Sequence, residues 1–272
     1  MTNSFTESKY LDDFPLWSKE KGLGLLNTDG VEDKFLRKSI IPELLHIQKT
    51  NQGFSDAGDK LKVFEISKNY SAINGQPAEK IHLALLDTNG FYSLKGTLSA
   101  ILERLKVNDM VFTPENIPCF TPFQSVAIKV KDNVIGWMGE VNCALIDKYE
   151  LRNKSVVAEL DFEKLAEIAV MNKVAKGFSR FPAIKRDLAM IFDIKTEWKD
   201  IQSVVYRDIP DFLETLEFFD LYKGKNIPEG KKSLAFSLVF RSQEKTLTNE
   251  EVDKVVEAVI QRLTKQFGAS LR

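Results

Sequence analysis

Leu94, Leu98, Ile101, Leu102 and Leu105 recur at spacings of three and four. At 3.6 residues per turn these side chains share one face, so the run SLKGTLSAILERLKV predicts an amphipathic helix. Before it, LKVFEIS (residues 61–67) and IHLALLD (81–87) read as strands, with a turn signal at Asn74-Gly75 in the connection. FQSVAIKV and VIGWMGEV read as two strands around a tight turn at Asp132-Asn133. SVVAELD adds a strand and FEKLAEIAV a short helix. KFLRKSIIPELLHIQ reads as a short apolar segment followed by a helix, with Pro42 in the first turn, where a missing N–H costs nothing. The hairpins imply an antiparallel sheet with helices packed on it.

A second pattern begins near Gly177. RDLAMIFDI (186–194) is a strand, and TEWKDIQSVVYRDI is a helix with Trp198, Ile201 and Val205 on one side, stopped by Pro210. LETLEFFDLYKG and KKSLAFSLVFRS are strands joined by the loop 225–230. Thr248 with Glu251 forms a capping box that starts the last helix. Val252, Val255, Val256, Val259, Leu263 and Phe267 make its apolar stripe, Gly268 ends it, and ASLR is a final strand. The order β-α-β-β-α-β is that of a ferredoxin-like split βαβ unit. The expected class is therefore α+β, in two domains, 1–176 and 177–272.

Composition narrows the chemistry. The chain has 272 residues, 43% apolar and 28% charged, with a net charge of −1. That is a globular composition with no broad basic field. From Phe178 onward there are 16 Lys and Arg against 15 Asp and Glu, so any RNA contact there is local. Cys119 and Cys143 fit neither a disulfide framework nor metal spacing, which favours a reduced, cytoplasmic setting. No apolar run approaches the roughly 18 residues of a membrane span. The opening MTNSFTESKYLDD has scattered, uncapped apolar residues, as expected of a piece of something longer. His46 and His82 are far apart with no third ligand, and His82, alternating with Leu83, is expected to face solvent. No metal site or catalytic residue is expected, and Trp17, Trp137 and Trp198 read as core anchors.

The strand KKSLAFSLVFR separates two faces. Leu234, Phe236, Leu238 and Phe240 should pack under the helices, and Ser233, Ala235, Ser237, Val239 and Arg241 should face outward. An open face of small residues rimmed by Lys185, Arg186, Lys232 and Arg241 suits a docked nucleic-acid backbone. A solvated face with ordinary surface charges fits the same residues. Phe178, Phe181 and Pro182 read as a packed entry turn that leaves Lys185 and Arg186 at the strand's mouth, within reach of phosphates. Alternatively, Arg186 pairs with a carboxylate such as Asp187 or Asp220.

The stretches FPAIKRDLAM, FFDLYKGKNIPEGKKSLAFSLVF, KTLTNEEV and GASLR resemble, in order, the ferredoxin-fold anticodon-binding domain of bacterial phenylalanyl-tRNA synthetase beta subunits. LRKSIIPELL, VFEIS, FYSLKGTLSAILERL and IGWMGEV resemble the catalytic-like module that precedes it. The chain departs from that pattern at Ser93, where an acidic residue is usual, and at Val141-Asn142, where a His-Pro pair is usual. The resemblance implies an antiparallel class II synthetase-like sheet module that does no chemistry itself. It also implies tRNA(Phe) binding by the second domain, for which the sheet-face reading offers Lys185, Arg186, Lys232, Ser233, Ser237 and Arg241 as candidate contacts. The implied partner is an alpha subunit, in a heterotetramer that uses ATP and Mg, with no cofactor held by this part and no membrane. Within the sequence, neither Glu65 nor Glu140 has the neighbouring arginine that a class II site needs, and Gly136 and Gly139 read as turn and close-packing positions. The other reading is a ferredoxin-like regulatory module that binds an amino acid. Against it, the loop KTEWKD after Ile194 has no glycine.

Overall fold

The computed structural model describes residues 2–25, 34–52, 60–73, 75–107, 110–170, 179–207 and 209–272. The chain forms two compact units, Met1–Lys173 and Val174–Arg272. The expected boundary at 176/177, and Phe178 of the expected entry turn, lie outside the described residues.

In the first unit, β1 (Phe5–Glu7) pairs with β2 (Lys34–Leu36), and α1 (Ile41–Asn51) follows with Pro42 in its first turn. Next come β3 (Lys62–Ile73), β4 (Gln76–Asp87), α2 (Phe91–Arg104), β5 (Met110–Pro114), β6 (Phe120–Val130), β7 (Asn133–Val141), α3 (Cys143–Lys148), β8 (Val156–Asp161) and α4 (Phe162–Ile168). The last six strands form one antiparallel sheet in the order β3-β4-β8-β7-β6-β5.

Both faces of this sheet are covered. On one, Leu94, Leu98 and Leu102 of α2 and Leu165 of α4 pack on Leu83, Leu85, Ala158 and Leu160. On the other, Phe14, Leu16 and the α1 residues Ile41, Leu44 and Leu45 pack on Ala84, Leu86 and Val157. This double cover is why IHLALLD is almost continuously apolar instead of alternating. It also overturns the expectation for His82, which is 2% exposed. Gly136 and Gly139 are close-packing positions within β7. A Cβ would lie 2.4 Å from the Glu159 carbonyl oxygen at the first and 2.4 Å from the Phe120 ring at the second. Asn142 caps α3 by accepting from the Leu145 N–H, a local use for the residue that departs from the family pattern.

The second unit contains β9 (Ile184–Asp193), α5 (Trp198–Val205), β10 (Leu213–Tyr222), β11 (Lys231–Phe240), α6 (Asn249–Phe267) and β12 (Ser270–Leu271). The sheet order is β10-β11-β9-β12, all antiparallel, which is the ferredoxin-like arrangement. Met190, Phe192, Leu234, Phe236, Leu238 and Phe240 fill the space under Ile201, Val205, Val252, Val259 and Leu263. Both hydrogen bonds of the Thr248–Glu251 capping box are present, and Gly268 closes α6 at φ 60°, where glycine has no Cβ penalty.

Candidate nucleic-acid interface

Strand alternation decides which basic residues reach the open face of the second unit. Ile184, Leu188, Met190 and Phe192 of β9 pack toward the helices, so Arg186 shares their face and Lys185 the opposite one. The Arg186 Nε donates to Asp253 Oδ1 at 2.9 Å and its Nη2 to Asn249 Oδ1 at 2.8 Å, both at the start of α6. Arg186 is therefore tied to the helix layer, not to the open face, and its carboxylate partner is neither Asp187 nor Asp220. Lys185 is exposed, with Nζ 3.6 Å from Asp187 Oδ1.

Lys232 shares the parity of Leu234 and Phe236 and pairs across with Phe192, so it too belongs to the helix side. Partial burial, then the charge of Lys223, lower its pKa, opposed by Glu197 and Asp193. Ser233 and Ser237 have open-face parity but are only 2% and 1% exposed. They are short side chains on an inner strand, opposite the longer Tyr222 and Glu217 of β10. Ser237 Oγ donates to Asp187 Oδ1 at 2.5 Å. The expectation that these serines line an accessible surface is corrected accordingly. Arg241 stays partly exposed, its Nε donating to Glu214 Oε2 at 3.0 Å.

The open face carries features that the sequence reading passed over. The Arg272 guanidinium lies 4.7 Å from the centroid of the Tyr222 ring. The two residues come from opposite edges of the sheet, Tyr222 from β10 and Arg272 from just beyond β12. Beside that face, Phe219 sits unpaired at the irregularity between Phe218 and Asp220 and is 56% exposed. The signal was in the sequence: FFDLY puts three aromatic residues within five positions of a strand that has only one buried face. Acidic Asp187, Glu217 and Asp220 share this open face, so its charge is mixed rather than basic.

In the first unit Glu65 does have an arginine partner, brought by the fold from outside its strand. Arg37 Nη2 lies 3.5 Å from Glu65 Oε1. That arginine is 1% exposed. Its Nε donates to the Lys68 carbonyl and its Nη1 to the Thr2 hydroxyl and the Asn3 carbonyl, so most of the buried guanidinium is already taken up within the fold. Cys119 is buried, which pushes its thiol up to about 12 and disfavours the thiolate that a nucleophile needs.

Residues 1–162 match the family model described as the phenylalanyl tRNA synthetase beta chain CLM domain. The chain belongs to the phenylalanyl-tRNA synthetase beta chain family. Residues 179–272 match the ferredoxin-fold anticodon binding domain. Over 90% of its length the chain is 34% identical to the phenylalanine–tRNA ligase beta subunit of Clostridium acetobutylicum, covering 32% of that protein. Over its whole length it is 31% identical to the Thermotoga maritima beta subunit, covering 36% of it. The chain thus spans about a third of the length of these beta-chain relatives. A pyrrolysyl tRNA synthetase from Desulfitobacterium hafniense is similar in fold, with a TM-score of 0.50 at 17% identity over 62% of this chain and 61% of that one. None of these matches supports an amino-acid-binding regulatory module in the second unit.

Proposed function

We propose that the second unit binds the anticodon region of tRNA(Phe). The first unit contributes to assembly with a separate alpha subunit, and the ATP- and Mg-dependent phenylalanylation takes place on that subunit, in a cytoplasmic heterotetramer. The observation that carries this reading is the tandem order of the two family matches along one chain. Placing the chemistry elsewhere is supported by the burial of Arg37 and its bonds within the fold. Among the described residues, no group of three or more His, Cys, Asp or Glu is arranged to hold a metal ion. No helix among them is long and apolar enough to cross a membrane.

The RNA surface we assign is the open sheet face of the second unit. Lys185, Arg241 and Arg272 supply phosphate contacts, and Tyr222 and Phe219 offer flat faces on which unpaired bases stack. Arg186 and Lys232 border this surface only from the helix side, and Ser233 and Ser237 support it from beneath. Filter binding of the tRNA(Phe) anticodon stem-loop tests the reading, with an unrelated stem-loop as control. Salt-dependent binding selective for the cognate loop is expected, and equal retention of both would overturn it. Pyrophosphate exchange with phenylalanine and ATP should stay at background until an alpha subunit is added.

A further inference from the structure

A cavity of about 310 Å³ opens beside β3 and β4 of the first unit, and its walls include Trp17, Lys38, Asn69, Ile73, Lys80 and His82. Three of these residues carry a buried polar atom with no hydrogen-bond partner: Trp17 Nε1, Asn69 Oδ1 and His82 Nε2. Native proteins leave few such atoms, and three on residues that line one cavity point to an occupant reached when the lining moves. Asn69 and His82 are 4% and 2% exposed.

The surrounding bonds fix what each orphan offers. Asn69 Nδ2 lies 2.7 Å from Glu159 Oε1 and 2.8 Å from His82 Nδ1. Glu159 is an acceptor here, since Oε1 also takes the Ile40 N–H and Oε2 the Ser39 hydroxyl. The amide nitrogen of Asn69 therefore donates to both neighbours, and its Oδ1 is a free acceptor. His82 Nδ1 must accept, so the ring is neutral and its proton sits on Nε2 as a free donor. Burial lowers the His82 pKa, in keeping with a neutral ring. The Trp17 indole, whose own N–H is the second free donor, stacks on this imidazole at 4.2 Å and 24°.

We infer that this cavity binds a small carboxylic acid with an amino or hydroxyl group next to the carboxylate and a short apolar tail. The indole and imidazole N–H groups donate to the carboxylate, and Asn69 Oδ1 accepts from the neighbouring amino or hydroxyl group. Lys19, Lys38 and Lys80 outweigh the one acidic residue, Glu20, on the lining, while Ala72 and Ile73 receive the tail. The volume is at the small end of ligand pockets. The three orphan atoms are closed off from solvent, so entry requires the Trp17 ring to tilt away from His82. No RNA contact is involved, and the inference stands apart from the tRNA reading.

The test is a titration of the full chain, followed by the indole ¹H–¹⁵N resonances of Trp17, Trp137 and Trp198. The probes are L-leucine, L-2-hydroxyisocaproate, isocaproate and inorganic phosphate. A saturable shift of Trp17 is expected with the first two acids, with a smaller one at Trp137 through its edge contact at 4.7 Å and none at Trp198. Isocaproate lacks the group that Asn69 would recognise and should bind about tenfold more weakly. Phosphate should give no saturable shift. Trp17→Phe keeps the ring but not the donor, and should weaken L-leucine binding by about tenfold in a thermal-shift titration. If no organic acid shifts Trp17 at up to about 20 mM, an affinity too weak to matter, the cavity holds only water and the inference fails. Equal affinity for isocaproate, or saturable binding of phosphate in its place, would also overturn it.

Discussion

Arg272 lies over the ring of Tyr222, 4.7 Å from its centroid, and so joins the two edge strands of the four-stranded sheet across its open face. Tyr222 is also the cross-strand partner of Ser233, which is why a residue of outward parity is nearly inaccessible. A ring and a guanidinium held together in this way form a platform for a base next to a phosphate. Tyr222→Ala should weaken stem-loop binding by about 1–3 kcal/mol, the range for loss of one stacked base, and Tyr222→Phe should retain it. Arg272→Ala should lower affinity and reduce the salt slope by about one. Filter binding across a salt series checks both, and wild-type behaviour of Tyr222→Ala would place the RNA elsewhere.

Lys185 and Arg186 should separate binding from stability, because neighbours on a strand point to opposite faces. Arg186→Ala removes the bonds to Asp253 and Asn249 and should cost the second unit about 0.5–1 kcal/mol, the upper range for a partly exposed pair. Its stem-loop affinity should be unchanged. Lys185→Ala should do the reverse, since its contact with Asp187 is long and exposed. Urea melts read by Trp198 fluorescence, beside binding curves, give the comparison. An Arg186 variant that melts normally but binds poorly would refute the face assignment.

Much of the architecture was legible because it rests on local periodicity. The α6 stripe, its capping box and the order of the six elements of the second unit all follow from residues a few positions apart. The site was less legible because it depends on register and on neighbouring strands. Parity alone should have parted Lys185 from Arg186, and Lys232 from Ser233, but charge clustering along the sequence drew them together. The burial of Ser237 was beyond reach, since it requires knowing that Glu217 and Asp187 flank it. Arg37 meets Glu65 across 28 positions of sequence, a pairing set by tertiary structure and not by any motif.

Two glycines should respond oppositely to alanine. At Gly136 the added methyl would sit 2.4 Å from the Glu159 carbonyl oxygen, a backbone atom held in the β7–β8 ladder. Relief requires moving two inner strands apart, at a cost of about 1–3 kcal/mol or more. Gly96 lies within α2, with no neighbouring heavy atom inside 4 Å of the new carbon, so Gly96→Ala should stabilise by about 0.5–1 kcal/mol. Thermal melts of the two variants should move in opposite directions. A neutral Gly136→Ala would mean that the strands are looser than this geometry.

Phe236 anchors the second core, fully buried on β11 with its ring 5.5 Å from that of Trp198. Phe236→Ala should cost about 3–5 kcal/mol, and Phe236→Leu, which removes less volume, clearly less. Trp198 reports directly on this contact, so its fluorescence in urea measures both. Similar midpoints for the two variants would show that the ring's volume is not what holds the sheet to α5.

The two histidines give the first unit a pH dependence that the second unit lacks. His46 and His82 are the only histidines in the chain, and both lie in the first unit. Burial is the largest influence on each and lowers both pKa values. For His82, Glu159, Asp161 and Glu163 favour the charged ring and Lys80 disfavours it, while for His46, Glu7 favours it and Lys49 and Lys9 oppose it. With the folded pKa below the unfolded value of about 6.5, the unfolded chain takes up protons first as pH falls. The stability tied to neutral rings is therefore fully present above about pH 6.5 and is lost as pH drops through that value toward the folded pKa. In a Trp198→Phe background, where Trp17 and Trp137 report on the first unit, the urea midpoint should fall between about pH 7.5 and pH 5.5. His82→Gln should flatten that fall, because the replacement carries no titrating ring. The melt of the second unit, read from Trp198 with Trp17 and Trp137 replaced, should stay level over the same range. A first-unit slope that is identical in wild type and His82→Gln would show that His82 is not held neutral by the packing of Trp17 and Asn69 around it.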